Sequence, residues 1–172
     1  MRELTGMPTL MLSRIAGGLL LAGFLALLAP PRVNAVDVSP FEKLVGRWVG
    51  EGRLGVRNNA TEQVKCRVTY LLASPDDRLQ QTIRCASGSG SIEVRSSVLH
   101  SAGTLTGTWA ELERKMHGEV TGTGTPRGFK VRVQGEGLKA NMDIVVLGTK
   151  QVIEIQFIDS ALIGLTLILD RG

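Results

Sequence analysis

Side chains with catalytic chemistry are scarce in this sequence. Its 172 residues include two histidines and two cysteines. There is no GxSxG, no HExxH and no phosphate-binding glycine motif that opens a helix. Glu111 and Glu113 share one strand parity, but a solvated strand edge explains this spacing more simply than a catalytic carboxylate pair. We therefore expect no catalytic residues and no metal site, and we predict that the protein is not an enzyme.

Clustered charge is also missing. The whole chain has a net charge of +4, but Arg2, Glu3, Arg14 and Arg32 fall in the first 35 residues, and the remainder carries +2. The basic residues of that remainder are scattered one or two at a time. Proteins that bind nucleic acids present a clustered basic face. We therefore expect no nucleic-acid partner.

Only one long apolar run is present, and it lies near the start of the chain. Residues 15–28 are uncharged, and the small-residue stretch VNA follows and ends at Ala35. A membrane-spanning helix needs roughly 20 residues, so the shorter run predicts a secretory signal peptide over residues 1–35, cleaved after Ala35. An uncleaved anchor is the alternative. Residues 36–172 then form one periplasmic or secreted domain with no stable membrane insertion.

The two cysteines lie in the part that would be exported, where an oxidising compartment favours a disulfide. Residues 62–72 and 79–86 have the character of two strands, and the SPDD segment between them is a turn signal, with Pro75 suited to a type I turn. A turn centred just after Pro75 places Cys66 directly opposite Cys85. We therefore predict a hairpin that carries a cross-strand disulfide between Cys66 and Cys85.

The rest of the chain alternates between apolar and polar residues with a period of two. The alternation is clear in residues 91–100, 128–135, 137–148, 151–158 and 162–169. It is typical of strands with one buried face. A meander of about eight to ten such strands can protect its edges by closing on itself, so we predict an all-β fold, a single antiparallel up-and-down barrel, with a two-sheet sandwich as the alternative. Aromatic residues are only 4% of the chain, which disfavours an outer-membrane barrel with its aromatic girdles.

The first strand segment carries a recognisable motif. Residues 46–48 form a GxW triplet after a short helical turn at residues 39–44, and the longer stretch GRWVGEG adds Gly50 and Gly52 on the parity of the tryptophan. This motif resembles the entry strand of the calycin superfamily, which includes the lipocalins and the ten-stranded nitrobindin-like barrels. The resemblance implies a curved entry strand and an arginine from the end of the barrel packed over the tryptophan. Arg171 stands at the matching position.

The nitrobindin-like branch binds haem through a proximal histidine late in the chain. The two histidines here are His100 and His117, and none follows His117. We interpret both as surface or strand-end residues. We therefore expect no haem cofactor, with haem kept as the less favoured alternative.

These observations together predict an exported, non-catalytic lipocalin-like protein that binds or carries a small apolar or amphipathic ligand inside its barrel. The alternative is a filled barrel that acts as an envelope structural or interaction module without a ligand. The sequence leaves the oligomeric state open. Bulky residues on the buried parity form the expected ligand-binding set: Trp48, Tyr70, Trp109, Phe129, Met142 and Phe157.

Overall fold

The computed structural model describes residues 39–57, 60–73 and 77–172. The leader predicted over residues 1–35 and the turn predicted around Pro75 lie outside the described residues. Within the described ranges no helix is long and apolar enough to cross a membrane. The strands are β1 (Gly46–Val56), β2 (Thr61–Ala73), β3 (Arg78–Ser87), β4 (Gly90–Ser101), β5 (Thr104–Glu111), β6 (Met116–Thr125), β7 (Gly128–Gly135), β8 (Leu138–Leu147), β9 (Lys150–Ile158) and β10 (Leu162–Arg171).

These ten strands form one closed antiparallel barrel. Each strand pairs with its neighbours in sequence, and the first strand also pairs with the last, from Trp48 opposite Arg171 to Val56 opposite Leu162. Closure of this kind pairs the backbone of both edge strands. The prediction of an all-β up-and-down barrel is confirmed, and the sandwich alternative is wrong.

The hairpin of β2 and β3 has the predicted register. Cys66 lies opposite Cys85, and Val68 lies opposite Ile83. The two cysteines form a disulfide, with their Cα atoms 4.2 Å apart. Both are buried, on the same inward parity as Val68. In the chain-entropy model, a cross-link that closes a loop of this length stabilises the fold by about 3 kcal/mol.

Strand β1 is held so close to β10 that two of its positions have no room for a side chain. A Cβ atom added at Gly50 would lie 2.0 Å from the carbonyl oxygen of Ile168. One added at Gly52 would lie 1.8 Å from the carbonyl oxygen of Thr166. Glycine in a strand often marks such a close approach of another backbone. The glycines beside Trp48 therefore allow the curved entry strand to meet the last strand and close the barrel.

A turn at residues 40–44 covers one end of the barrel. Backbone hydrogen bonds from Leu44 to Phe41 and from Val45 to Glu42 hold its shape. Phe41 and Leu44 are buried, and the Phe41 ring lies 5.4 Å from the ring of Phe129 between centroids. We call this end of the barrel, which Phe41 and Leu44 cover, the floor.

Trp48 and Arg171 hold the floor turn to the barrel. The indole Nε1 of Trp48 donates a hydrogen bond to the carbonyl oxygen of Leu44 at 2.6 Å. The Arg171 guanidinium carbon lies 4.4 Å from the centroid of the Trp48 ring. The same guanidinium donates to the carbonyl oxygens of Val45 at 2.6 Å and Lys43 at 2.7 Å. This is the arginine-over-tryptophan packing that the resemblance to calycins implied.

Replacement of Gly52 by alanine should destabilise the barrel. The added methyl group meets backbone atoms of β10, which cannot move aside without opening the closure, so Gly52→Ala should lower the free energy of unfolding by about 1–3 kcal/mol. Gly55→Ala is the matched control in the same strand, because its Cβ would have its nearest neighbour at 3.7 Å. Urea denaturation measures both variants. Equal stability of the two would contradict the close approach at Gly52.

Candidate functional site

The barrel encloses a cavity of about 460 Å³. Its wall consists mainly of inward-facing apolar side chains, and Phe41 and Leu44 line it at the floor. At the opposite end it reaches the surface, because the exposed residues Ser89, Arg114 and Gly137 are also part of its lining. We call this open end the mouth; it is formed by the turns at residues 88–89, 112–115, 136–137 and 159–161.

Five of the six residues expected to contact a ligand line this cavity: Tyr70, Trp109, Phe129, Met142 and Phe157. Trp48 does not line it. Its side chain is 0% exposed and is taken up by the Leu44 carbonyl and the Arg171 guanidinium at the floor. Phe41 and Leu44, which come from the turn before β1, line the cavity at that end instead. Inward parity alone therefore does not distinguish a residue of the floor from a residue that lines the cavity.

A polar cluster interrupts the apolar wall. Tyr70, Gln81 and Ser96 occupy paired positions on the adjacent strands β2, β3 and β4, and all three line the cavity. Ser96 Oγ donates to Gln81 Oε1 at 2.7 Å. Gln151, a fully buried residue on the inward parity of β9, donates from its Nε2 to the Tyr70 hydroxyl oxygen at 3.0 Å. Gln81 and Ser96 are not bulky and were not predicted as site residues, although the register that brings Cys66 opposite Cys85 also brings Gln81 opposite Tyr70.

Burial governs the ionisation of Tyr70. Desolvation raises the pKa of its hydroxyl to about 12, against the opposing effect of hydrogen bonds from Gln151 and Gln81. The hydroxyl is therefore neutral at physiological pH and acts as a hydrogen-bonding group. It would be a poor proton donor or acceptor for acid–base catalysis there, because an effective group has a pKa near the operating pH.

A buried carboxylate stands at the mouth. Glu111 is only 3% exposed, lines the cavity and accepts hydrogen bonds from the backbone N–H groups of Glu113 at 3.2 Å and Arg114 at 2.6 Å. Arg114 Nη1 lies 3.6 Å from Glu111 Oε1. The interpretation of both glutamates as a solvated edge is wrong for Glu111 and holds for the exposed Glu113. The Glu111 carboxylate fixes the turn between β5 and β6, since charged acceptors make strong hydrogen bonds to backbone N–H groups.

Neither histidine lines the cavity. His117 is exposed on β6, and His100 Nδ1 lies 3.0 Å from Asp77 Oδ2. Ser39 Oγ donates to the other oxygen of Asp77, so the carboxylate lies between the serine and the histidine. A serine nucleophile needs the histidine in contact with its hydroxyl, and this cluster therefore secures the floor turn and does not activate Ser39.

The donor set does not fit a haem with a histidine ligand. The cavity wall offers no imidazole, and globin-type haem iron is held by a proximal histidine. Over the described ranges of the chain, no group of three or more His, Cys, Asp or Glu side chains is placed to hold a metal ion.

A second depression of about 760 Å³ lies on the outer wall across β1 to β4. Its volume is larger than that of the interior cavity, but charged side chains line it, including Arg84 and Glu93, whose Nε and Oε2 atoms lie 2.7 Å apart. The hydrogen bond from Arg84, with a second from Arg95, holds the pKa of Glu93 below its ordinary value. These charges pair with one another on an open surface, so the interior cavity is the better candidate for an apolar ligand.

Several solved structures share the fold. Rv2717c from M. tuberculosis matches with a TM-score of 0.64 and 13% sequence identity, over 77% of this chain and 94% of that chain. The S-type phycobiliprotein lyase CPES from Guillardia theta matches with a TM-score of 0.56 and 13% identity, over 77% of this chain and 90% of that chain. No protein-family model and no curated protein sequence matches the chain. The ten-stranded antiparallel barrel of this chain thus has structural neighbours among the lipocalin-like, or calycin, barrels, and at 13% identity the likeness extends to the fold alone.

The second neighbour corrects the prediction that this protein is not an enzyme. That prediction rested on the absence of short motifs, which are signatures of other folds. CPES has this barrel fold and is by name a lyase, which is an enzyme. The fold is therefore compatible with catalysis as well as with ligand binding, and the side chains of the site decide between these functions.

The single tyrosine of the chain makes the buried hydroxyl directly measurable. The folded protein should develop phenolate absorbance only near pH 12, whereas the unfolded chain should do so near pH 10. Because the folded pKa is the higher one, the stabilisation is complete below pH 10 and is lost as the pH rises towards 12, by about 2–3 kcal/mol. Absorbance titration in parallel with circular dichroism measures both. Phenolate formation near pH 10 in a protein that is still folded would contradict the burial of Tyr70.

Proposed function

We propose that this protein binds a small apolar or amphipathic ligand in the interior of its barrel. The observation that carries the proposal is the cavity of about 460 Å³, apolar in its wall and continuous with the surface at the mouth. Binding sites for small molecules are concave, mostly apolar and have volumes of about 300–1,000 Å³, with a few polar groups that fix orientation. The cavity fits each part of this description.

The cavity argues against the filled-barrel alternative. Protein interiors pack as densely as organic crystals and leave few voids larger than a water molecule. An interaction module without a ligand has no use for a hollow centre, and its side chains would gain dispersion energy by filling it. Phe41 and Phe129 show that the chain packs tightly where it is closed, at the floor. The interior cavity is thus explained by a ligand site and not by a filled barrel.

The two ends of the barrel suit the entry of a ligand from one side. At the floor, Arg171 and Trp48 hold the turn in place by three hydrogen bonds and a ring contact. At the mouth, serines such as Ser89 and Ser91 border the opening. A ligand would enter past these small polar side chains and come to rest against Phe41 and Leu44.

We further propose that the protein is exported and acts in the periplasm or outside the cell. The leader pattern over residues 1–35 supports this proposal. The disulfide between Cys66 and Cys85 fits it, because such bonds form and persist in oxidising compartments.

Ligand binding can be tested with diphenylhexatriene, a hydrocarbon dye that fluoresces in apolar surroundings. The purified protein should bind it, and Val131→Trp should weaken binding by about tenfold, because Val131 lines the cavity and the larger indole would occupy volume that the dye needs. The matched control is Val49→Trp, since Val49 is 41% exposed on the outer face of β1. Fluorescence titration gives the dissociation constants.

No binding by the unmodified protein, or equal binding by the two tryptophan variants, would contradict a ligand site in the interior. If the dye binds as expected, native mass spectrometry of protein purified from its own cells should identify a natural ligand as an added mass. That mass should be absent from the Val131→Trp variant.

Export has a separate test. The mature protein should begin at Val36 and should be found outside the cytoplasm, as measured by intact mass and cell fractionation. Leu25→Arg, which interrupts the apolar run of the leader, should retain the full chain in the cytoplasm with Cys66 and Cys85 reduced. A full-length, reduced chain from unmodified cells would contradict export.

A further inference from the structure

The polar cluster inside the cavity indicates the chemistry of the ligand. Tyr70, Gln81 and Ser96 lie side by side on three adjacent strands, on an inner wall that is otherwise mostly apolar. Buried polar groups lower stability unless they are hydrogen-bonded, and a purely structural wall would carry apolar side chains there. Their alignment in register creates one continuous polar patch, not scattered polar atoms.

The cluster retains hydrogen-bonding capacity on its cavity side. The Gln81 carbonyl accepts from Ser96 at 2.7 Å, and the Gln81 side chain is near enough to the Tyr70 hydroxyl to lower its pKa by hydrogen bonding. A glutamine amide has two N–H donors, so one N–H remains without a partner among the described residues. The Ser96 oxygen keeps its acceptor capacity as well. A donor and an acceptor therefore lie next to each other at the wall.

No charge is available to this patch. The charged side chains that line the cavity, within the described part of the chain, are Glu111 and Arg114 at the mouth. Arg114 Nη1 lies 3.6 Å from Glu111 Oε1, so the two side chains pair with each other. An ionised ligand group placed at the polar patch would lose its hydration without gaining a counter-ion, which is far more costly than burying a neutral group.

We propose that the ligand carries an uncharged hydroxyl or carbonyl group that binds at Gln81 and Ser96, while its apolar body fills the rest of the cavity. This inference rests on the proposed function and names its ligand class, a neutral lipid-like molecule with one hydrogen-bonding group. A hydroxyl both accepts from the Gln81 amide and donates to the Ser96 oxygen, and a carbonyl accepts from the amide. Fatty acids and alkylammonium ions are disfavoured, because their charged heads find no partner there.

The test is displacement of bound diphenylhexatriene at neutral pH by three ligands of one chain length: decanol, decanoate and decylammonium. Decanol should displace the dye at a concentration at least about tenfold lower than either ion. Gln81→Met should weaken decanol binding by about five- to tenfold, the effect of losing one hydrogen bond. It should leave the affinity for the dye itself unchanged, because the dye has no polar atom.

Two matched pairs of variants separate this effect from a change in folding. Gln80→Met is the control for Gln81→Met, since Gln80 is exposed on the same strand. Ser96→Ala should act in the same direction as Gln81→Met, and Ser97→Ala, on the opposite parity, should not. Unchanged dye affinity in each variant shows that the barrel is intact.

Equal displacement by the alcohol and the two ions would overturn the inference, as would an equal loss of decanol binding in the Gln80 and Gln81 variants; ligand binding as such would still stand. Absence of dye binding by the unmodified protein would overturn the proposed function, and the inference with it. Selective loss of decanol binding in both the Gln81 and the Ser96 variants is the result that supports it.

Discussion

The contact between the first and last strands is the constraint on which the rest of the structure depends. Ten strands become a barrel only because β1 can approach β10 closely enough to pair along most of its length. Gly50 and Gly52 permit this approach, since a Cβ at either position would meet carbonyl oxygens of β10. Arg171 then links the end of β10 to the turn before β1 through the carbonyl oxygens of Lys43 and Val45. Closure of the wall and closure of the floor are thus achieved by the same pair of strands.

A floor secured in this way allows the middle of the barrel to stay hollow. Side chains around an empty volume give up dispersion contacts that a packed core would provide, so a cavity of about 460 Å³ lowers the stability of the fold. The disulfide between Cys66 and Cys85 offsets part of this loss, and Cys85 itself lines the cavity. The disulfide therefore supplies stability to a barrel whose cavity lowers it.

The sequence was sufficient to predict the wall of this barrel because strand direction follows from local rules. Period-two alternation identified the strands, and the turn signal at Pro75 fixed the register that brings Cys66 to Cys85. Depth inside the barrel follows no such rule. Trp48 and Tyr70 share inward parity, yet one lies in the floor and the other lines the cavity, because the turn that covers the end comes from residues outside the alternating pattern.

Glu111 shows that the burial of a charged side chain does not follow from local sequence rules either. Its spacing from Glu113 gave no indication that one carboxylate turns inward to accept two backbone N–H groups while the other stays in water. A hydrogen bond between a side chain and a turn depends on the backbone path of that turn, which parity does not describe. Short catalytic motifs have a related limit, since each describes the site geometry of another fold.

The polar groups at the two ends of the barrel and those at the cavity wall differ in the hydrogen-bonding capacity that they leave unused. Asp77 and His100 use their contacts with Ser39 and Gly103 to hold the floor turn, and Glu111 uses both carboxylate oxygens at the mouth. Gln81 and Ser96 keep a donor and an acceptor towards the cavity. The strands and turns of such a barrel can be shared at 13% identity. Under the proposed function, the ligand would be selected by a few inward side chains that contribute little to the fold itself.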